Sequence, residues 1–305
     1  MKAFISTTSF GEYSKEPLDL LRRNGIDYTL NTRRRRLRED EILNILKMDS
    51  YVGLIAGTEA LTKDVLKGAE MLKVISRVGV GLDNVDLQSA KRENIRVYNT
   101  PSILTDSVAE LTIALILSSL RKIVSVDRNM RSGTWKKEMG LLFRDKVLGI
   151  IGFGKIGGRV AQLANAFGAK TVFYDIEAIN DNSSAQVSLE ELLKASDIVA
   201  IHSSSKERLI GKNEISAMKP GAILINTSRG SAIDEDALYD AISSGRIASA
   251  ALDVYNNEPY AGKLTGLENV ILTPHIGSYA KEARIEMEIE SVNNLVKGFR
   301  EVGLL

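Results

Sequence analysis

The chain has 305 residues, 44% of them hydrophobic and 26% charged, with a formal net charge of +1. That balance fits a folded, water-soluble protein of about two domains and gives no global field for nucleic acid or an anionic membrane. Cysteine is absent and there are only two histidines, His202 and His275, which excludes disulfides, thiolate nucleophiles and thiolate metal sites and predicts no metal.

The start, "MKAFISTTSF", lacks a secretory apolar region, and no run of 18 apolar residues follows, so a cytoplasmic protein is expected. The first hundred residues alternate strand-like and helix-like stretches. "KAFIST", "IDYTL", "YVGLIAG", "LKVISRVG" and "IRVYNT" read as strands; "PLDLLRRNG" and "EDEILNILK" read as helices. This is an α/β unit without a phosphate loop. Its sharpest charge run, Arg33–Arg36, is followed at once by "EDE" and reads as a solvated loop rather than a phosphate contact.

"DSVAELTIALILSSLRK" (106–122) reads as a long buried helix, with Ser107 and Glu110 spaced as a capping box. Beyond it, apolar runs at 147–153, 170–175, 197–202, 222–228, 248–255 and 269–276 alternate with helical stretches. Six continuous apolar strands separated by helices predict a second doubly wound parallel sheet. The last segment, 281–300, is amphipathic and comes after the final strand. A helix there returns to the first unit, so the expected organisation is 1–99 and 279–305 for a substrate domain and 100–278 for an inserted nucleotide domain. The two are expected to form the walls of a hinged cleft.

"VLGIIGFGKIGGRV" (147–160) carries Gly152-x-Gly154-x-x-Gly157 between a strand and a helix. Gly152 permits the tight turn, Gly154 lets a pyrophosphate approach the backbone, and Gly157 lets helix and strand pack closely. Asp175 ends the next strand, about twenty residues on, where a carboxylate accepts from the ribose hydroxyls and repels a 2′-phosphate. The cofactor expected is NAD rather than NADP.

Three later loops follow predicted strands, where such sheets place ligands. Arg229 in "INTSRG" suits a forked grip on a carboxylate. His275 in "TPHIGS" suits proton transfer, and Glu258 in "VYNNEP" suits fixing its tautomer and raising its pKa.

Together "GFGKIGGRV", "INTSRG…IDEDAL", "AALDVYNNEP" and "TPHIGS" closely resemble the D-isomer-specific 2-hydroxyacid dehydrogenase family. In the first half "ISRVGVGLDNVD", "VYNTP", "SVAEL" and "RSGTW" match it in the same order. The resemblance implies a Rossmann NAD domain inserted in a flavodoxin-like substrate domain. It implies that Arg229 binds the substrate carboxylate and keto oxygen, that His275 is the acid/base and that Glu258 supports it. It places Lys155 and Ile156 along the pyrophosphate, Asp253 on the nicotinamide carboxamide, and Ser203, Thr227, Ser228, Gly277 and Ser278 around the cofactor. His202 falls near the adenosine. Gly79, Val80 and Gly81 would grip the carboxylate through their backbone.

"SRVGVGLDNVD" most resembles the phosphoglycerate dehydrogenase branch. There Arg77 matches a phosphate contact, and Lys137 matches a basic residue reaching from the partner subunit. The best sequence reading is therefore 3-phosphoglycerate/3-phosphohydroxypyruvate, with glyoxylate or hydroxypyruvate reduction as the alternative. The departures are specific. Ala56 stands where that branch has a further arginine, "PSILTD" (101–106) is closer to glyoxylate and hydroxypyruvate reductases, and Ser204 replaces a usual proline. The chain ends at Leu305 without a regulatory domain, so serine feedback is not expected. Glu258 argues against the formate dehydrogenases of this scaffold, and the intact trio argues against a corepressor that senses NAD(H). A homodimer through the nucleotide domains is expected, with 131–143 as an arm and Trp135 as its anchor.

Overall fold

The computed structural model describes residues 1–101 and 103–305; Ser102, inside "PSILTD", lies outside them. The chain divides into two compact units, residues 105–277 and residues 1–104 with 278–305. The limits expected from the sequence lie at 99/100 and 278/279.

In the first unit β1 (Lys2–Ile5), α1 (Glu16–Arg23), β2 (Asp27–Leu30), α2 (Glu39–Met48), β3 (Gly53–Ala56), α3 (Lys63–Gly68), β4 (Val74–Arg77), α4 (Leu87–Arg92) and β5 (Arg96–Tyr98) alternate. The strands are all parallel, in the order β2-β1-β3-β4-β5, the flavodoxin-like arrangement. Two helices, α3 and α4, have six residues each, too few to register as an apolar period. Side-chain caps define them: Thr62 Oγ1 accepts from Val65 N–H at 3.5 Å and Asp86 Oδ1 from Ser89 N–H at 2.9 Å. One face of the sheet buries Leu37, Ile42, Leu54, Leu66 and Ile75.

The second unit runs α5 (Leu104–Arg121, from the boundary), α6 (Ile123–Arg131), β6 (Val147–Ile151), α7 (Lys155–Ala166), β7 (Lys170–Tyr174), β8 (Ala185–Gln186), α8 (Leu189–Ala195), β9 (Ile198–Ile201), α9 (Lys212–Ala217), β10 (Ala222–Asn226), α10 (Glu235–Ser243), β11 (Ile247–Leu252) and β12 (Val270–Leu272). Its sheet order is β12-β11-β10-β9-β6-β7-β8, all parallel. This is the doubly wound dinucleotide order with one strand more than the six expected, the two-residue β8. Separate apolar clusters cover the two faces, which is why its strands read as unbroken apolar runs. The long helix is present, but Ser107 does not cap it. The helix starts at Leu104, and Ser107 Oγ instead donates to the Gly277 carbonyl at 2.6 Å.

The final helix, α11 (Lys281–Glu301), belongs to the first unit and packs on β3, β4 and β5. A Cβ on Gly298 would stand 2.6 Å from Val74 Cγ1, so only glycine lets the helix lie this close to the sheet. The arginine run is accounted for locally. Arg35 forks onto Glu41 at 2.6 and 2.8 Å, and Arg33 pairs with the same carboxylate. With the Arg38 N–H also donating at 2.8 Å, Glu41 is pulled down to about 2.

Candidate active site

The glycine turn joins β6 to α7. Gly152 sits at φ +90°, and a Cβ there would come within 2.7 Å of Ser203 N. A Cβ on Gly157 would collide with the Gly152 carbonyl oxygen. At Gly154, by contrast, nothing lies within 4 Å of a Cβ position. The backbone is tight on the protein side and open on the other, the cradle a diphosphate requires. Gly154 is the N-cap of α7, so Lys155 and Ile156 form its first turn, where free N–H groups favour an anion.

Asp175 follows β7 directly. Its Oδ2 accepts from Phe153 N–H, inside the glycine turn, at 2.7 Å, and its Oδ1 from Glu177 N–H at 3.1 Å. The carboxylate is thus fixed beside the turn, where the sequence reading expects a ribose acceptor. His202 follows β9, and burial pushes its imidazole down to about 4. Its Nδ1 lies 3.5 Å from Thr227 Oγ1, which in turn lies 3.0 Å from Thr112 Oγ1. Among the described residues His202 Nε2 is buried without a hydrogen-bond partner, an orphaned polar atom of the sort a bound ligand satisfies. In the 203–205 turn, Ser203 Oγ accepts from Ser205 N–H at 3.1 Å, a local bond made where the usual proline is missing.

The lowered His202 value has a pH signature. The unfolded imidazole protonates near its ordinary 6.5 while the folded one resists until about 4. Stability is therefore full above pH 6.5 and falls as pH drops from 6.5 towards 4. A His202→Asn protein should show a shallower loss over that window, read as urea midpoints at pH 7 and 4.5.

Arg229 stands three residues past β10, with its Nη1 donating to the Ser228 carbonyl at 2.9 Å. Asn226, which has no role in the sequence reading, builds this turn. Its Nδ2 donates to the Arg229 carbonyl at 2.8 Å, and its Oδ1 accepts from Ser228 N–H at 3.0 Å and Ser228 Oγ at 2.8 Å. Its signal is a polar residue ending an otherwise apolar buried strand. A Cβ on Gly230 would collide with the Tyr255 carbonyl carbon, so the Arg229 turn rests against the segment leading to Glu258.

Glu258 and His275 meet as expected. His275 Nδ1 lies 2.9 and 3.1 Å from the two Glu258 carboxylate oxygens. The contact fixes Nδ1 as the donor and leaves Nε2 to exchange a proton. His275 is held at φ +55°, unusual for a residue with a side chain, and its N–H donates to the Thr273 carbonyl at 3.0 Å. The Glu258–Pro259 peptide is cis. Asp253, buried after β11, ties the loop down: Oδ1 accepts from Thr273 Oγ1 at 2.5 Å and Ile276 N–H at 2.8 Å, and Oδ2 from Gly277 N–H at 2.8 Å. Burial pushes its carboxyl up, and these donors push it back. Lys137 is exposed on the segment after α6.

The remaining residues expected to contact substrate lie in the first unit. Ser278, expected beside the cofactor, lies there too and opens the segment leading to α11. Arg77 ends β4 and is paired in register with Ala56 at the end of β3. The arginine folds back over Gly79, where a Cβ would collide with its Nη1. Gly79 N–H donates to Thr100 Oγ1 at 2.8 Å, and Asn99 Nδ2 donates to the Val80 carbonyl at 2.7 Å. The Gly79 amide is thus already engaged within the turn. Glu59, three residues past β3, carries no signal in the sequence. It is 1% exposed, accepts from Ser6 Oγ, and accepts from Gly57 N–H at 3.2 Å.

A doubly wound sheet with this glycine cradle, and with an arginine and a carboxylate–imidazole pair at its strand ends, defines a dinucleotide-dependent oxidoreductase. Residues 113–277 match the family described as D-isomer specific 2-hydroxyacid dehydrogenase, NAD binding domain. The chain is 41% identical over 269 residues to the glyoxylate reductase of Thermococcus litoralis, covering 83% of this chain and 81% of that protein. It is 38% identical over 278 residues to the hydroxypyruvate reductase of Thermotoga maritima, covering 88% and 90%. It is 37% identical over 299 residues to the D-3-phosphoglycerate dehydrogenase of Archaeoglobus fulgidus, covering 93% and 56%. The crystal structure of the TT0316 protein from Thermus thermophilus matches with a TM-score of 0.90 at 35% identity, covering 99% of this chain and 97% of that one. The protein belongs to the D-isomer-specific 2-hydroxyacid dehydrogenase family, and its cofactor is NAD. Among the described residues no helix is long and apolar enough to cross a membrane.

Proposed function

We propose that the protein interconverts a small 2-keto acid and its D-2-hydroxy acid, with glyoxylate and hydroxypyruvate as the best substrates. The observation that carries the chemistry is the Glu258–His275 contact at 2.9 Å. NAD(H), when bound, supplies the hydride donor or acceptor. Arg229 grips the substrate carboxylate and polarises the keto oxygen. For reduction, His275 begins protonated and gives the Nε2 proton to that oxygen, while Glu258 holds the imidazolium in place. On this reading Asp253 serves the nicotinamide carboxamide with the acceptor capacity its loop leaves over, and the Val80 and Gly81 amides serve the carboxylate.

The choice of substrate rests on Ala56, which offers no cation at the end of β3, and on the names of the relatives at 41% and 38% identity. A second reading, 3-phosphohydroxypyruvate, is supported by Arg77 and Lys137, two cations suited to a phosphate dianion. Steady-state NADH oxidation with glyoxylate, hydroxypyruvate, pyruvate and 3-phosphohydroxypyruvate decides between them by the ratios of kcat/KM. No turnover with any of these overturns the proposal.

The Asp175 carboxylate sets the cofactor choice. Asp175→Ser should weaken NADH binding about ten- to hundredfold and bring NADPH within reach, as measured by fluorescence titration of both.

Trp135 is 80% exposed and Met139 89%, with Leu141 and Leu142 beside them, while α6 buries none of its residues. So much uncovered apolar surface on one arm fits a second copy of the chain as its cover. Trp135→Glu should convert a dimer to a monomer in sedimentation velocity; a wild-type monomer at micromolar concentration overturns this.

A further inference from the structure

We propose that Tyr255 is a positioning residue for the acid/base pair: its hydroxyl clasps the ends of β11 and β12 and its amide holds Glu258, so that carboxylate and imidazole meet in register. The inference rests on the reading of His275 as the proton donor.

The two halves of the pair leave the sheet on neighbouring strands. β11 and β12 stay paired as far as Leu252 and Leu272. The chain then runs from β11 to Glu258 and from β12 to His275. Where the strands part, the Tyr255 hydroxyl donates to the Leu252 carbonyl at 2.9 Å and to the Thr273 carbonyl at 2.8 Å, one proton shared by two acceptors. The Thr273 carbonyl also accepts the His275 N–H at 3.0 Å. The hydroxyl therefore fastens the carbonyl against which the histidine backbone, at φ +55°, is held. On its backbone side, Tyr255 N–H donates to Glu258 Oε1 at 3.2 Å, and the same oxygen lies 3.1 Å from His275 Nδ1. One residue thus touches the carboxylate with its amide and the histidine's loop with its hydroxyl.

The clasp is itself rigid. Tyr255 is 8% exposed and stacks on Tyr260, with ring centroids 4.4 Å apart and 19° between the planes, so the segment carrying Glu258 is closed on itself. Burial pushes the Tyr255 hydroxyl up, which keeps it a donor. The His275 side chain, by contrast, is 52% exposed. Bonds rather than packing set its place, and a misplacement of about 1 Å can cost about a hundredfold in rate.

A role confined to the fold has different consequences. Without the hydroxyl each carbonyl keeps another donor, Thr273 N–H on Leu252 at 3.0 Å and His275 N–H on Thr273. Tyr255→Phe also preserves the stacked ring. A general loosening would weaken cofactor and substrate binding, and it would still slow an enzyme already lacking the imidazole.

The test is stopped-flow hydride transfer from NADH to glyoxylate and to hydroxypyruvate. Tyr255→Phe should slow it about tenfold while KM and the Kd for NADH stay within about twofold of wild type. In a His275→Ala background the same change should cost less than about twofold. Tyr260→Phe, which keeps the stack and loses the other hydroxyl, should stay within about twofold of wild type. Undiminished transfer in Tyr255→Phe overturns the proposal, as does an equal loss with and without the imidazole. A Tyr255→Phe protein that does not fold overturns it too, because the hydroxyl would then serve the fold. A wild-type protein inert toward every keto acid sinks the functional reading, and this one with it.

Discussion

Alanine at position 275 is expected to lower kcat by about 10²–10⁴ while NADH binding stays within about twofold of wild type. The size follows from the proton that His275 is proposed to supply. Hydride addition to a keto carbon leaves an alkoxide unless a proton arrives with it, and water is a poor acid at neutral pH. In the proposed mechanism Glu258 makes the histidine competent by holding Nδ1, which lies 2.9 Å from its carboxylate, so Glu258→Gln should cost less than His275→Ala and the double variant little more than His275→Ala. Stopped-flow hydride transfer, with NADH binding followed separately by fluorescence, reads both quantities. A His275→Ala enzyme with undiminished hydride transfer removes the imidazole from the mechanism.

Arg229→Ala should lower kcat/KM by about 10²–10³. Its guanidinium is the group proposed to hold the carboxylate and the developing oxyanion together, so both KM and kcat should suffer. Lysine should not rescue it, because a point charge cannot reproduce a planar fork. Asn226→Ala acts one step earlier, by releasing the Ser228–Arg229 backbone. An Arg229→Ala enzyme that keeps kcat/KM within about threefold of wild type would place the anion grip elsewhere.

Much of this was legible because buried parallel strands and a glycine turn leave strong local marks. The runs at 147–153 and 222–228 correspond to β6 and β10, and the amphipathic 281–300 stretch to α11, because continuous apolarity and helical period are one-dimensional signals. Helices of six residues are not, and α3 and α4 surface only through their capping side chains. Ser107 misled for the opposite reason: the pattern of a capping box was present, but the helix had begun a turn earlier. The Asn226 side chain bonds residues two and three positions on, and its one mark is a polar end on an apolar strand; Glu59 and Glu288 of α11 stayed hidden because their partners lie far along the chain. Glu288 takes the Gly11 N–H at 2.9 Å from 277 positions away, a distance no spacing rule reaches.

The outermost strands of the second unit's sheet are β8 and β12, of two and three residues; those of the first unit's sheet, β2 and β5, have four and three. Rims this short give a foreign backbone almost nothing to zip onto. Self-association by ladder extension is thereby discouraged at all four borders, and any stable pairing of copies must be won by side chains. The uncovered tryptophan arm is where such side chains are concentrated.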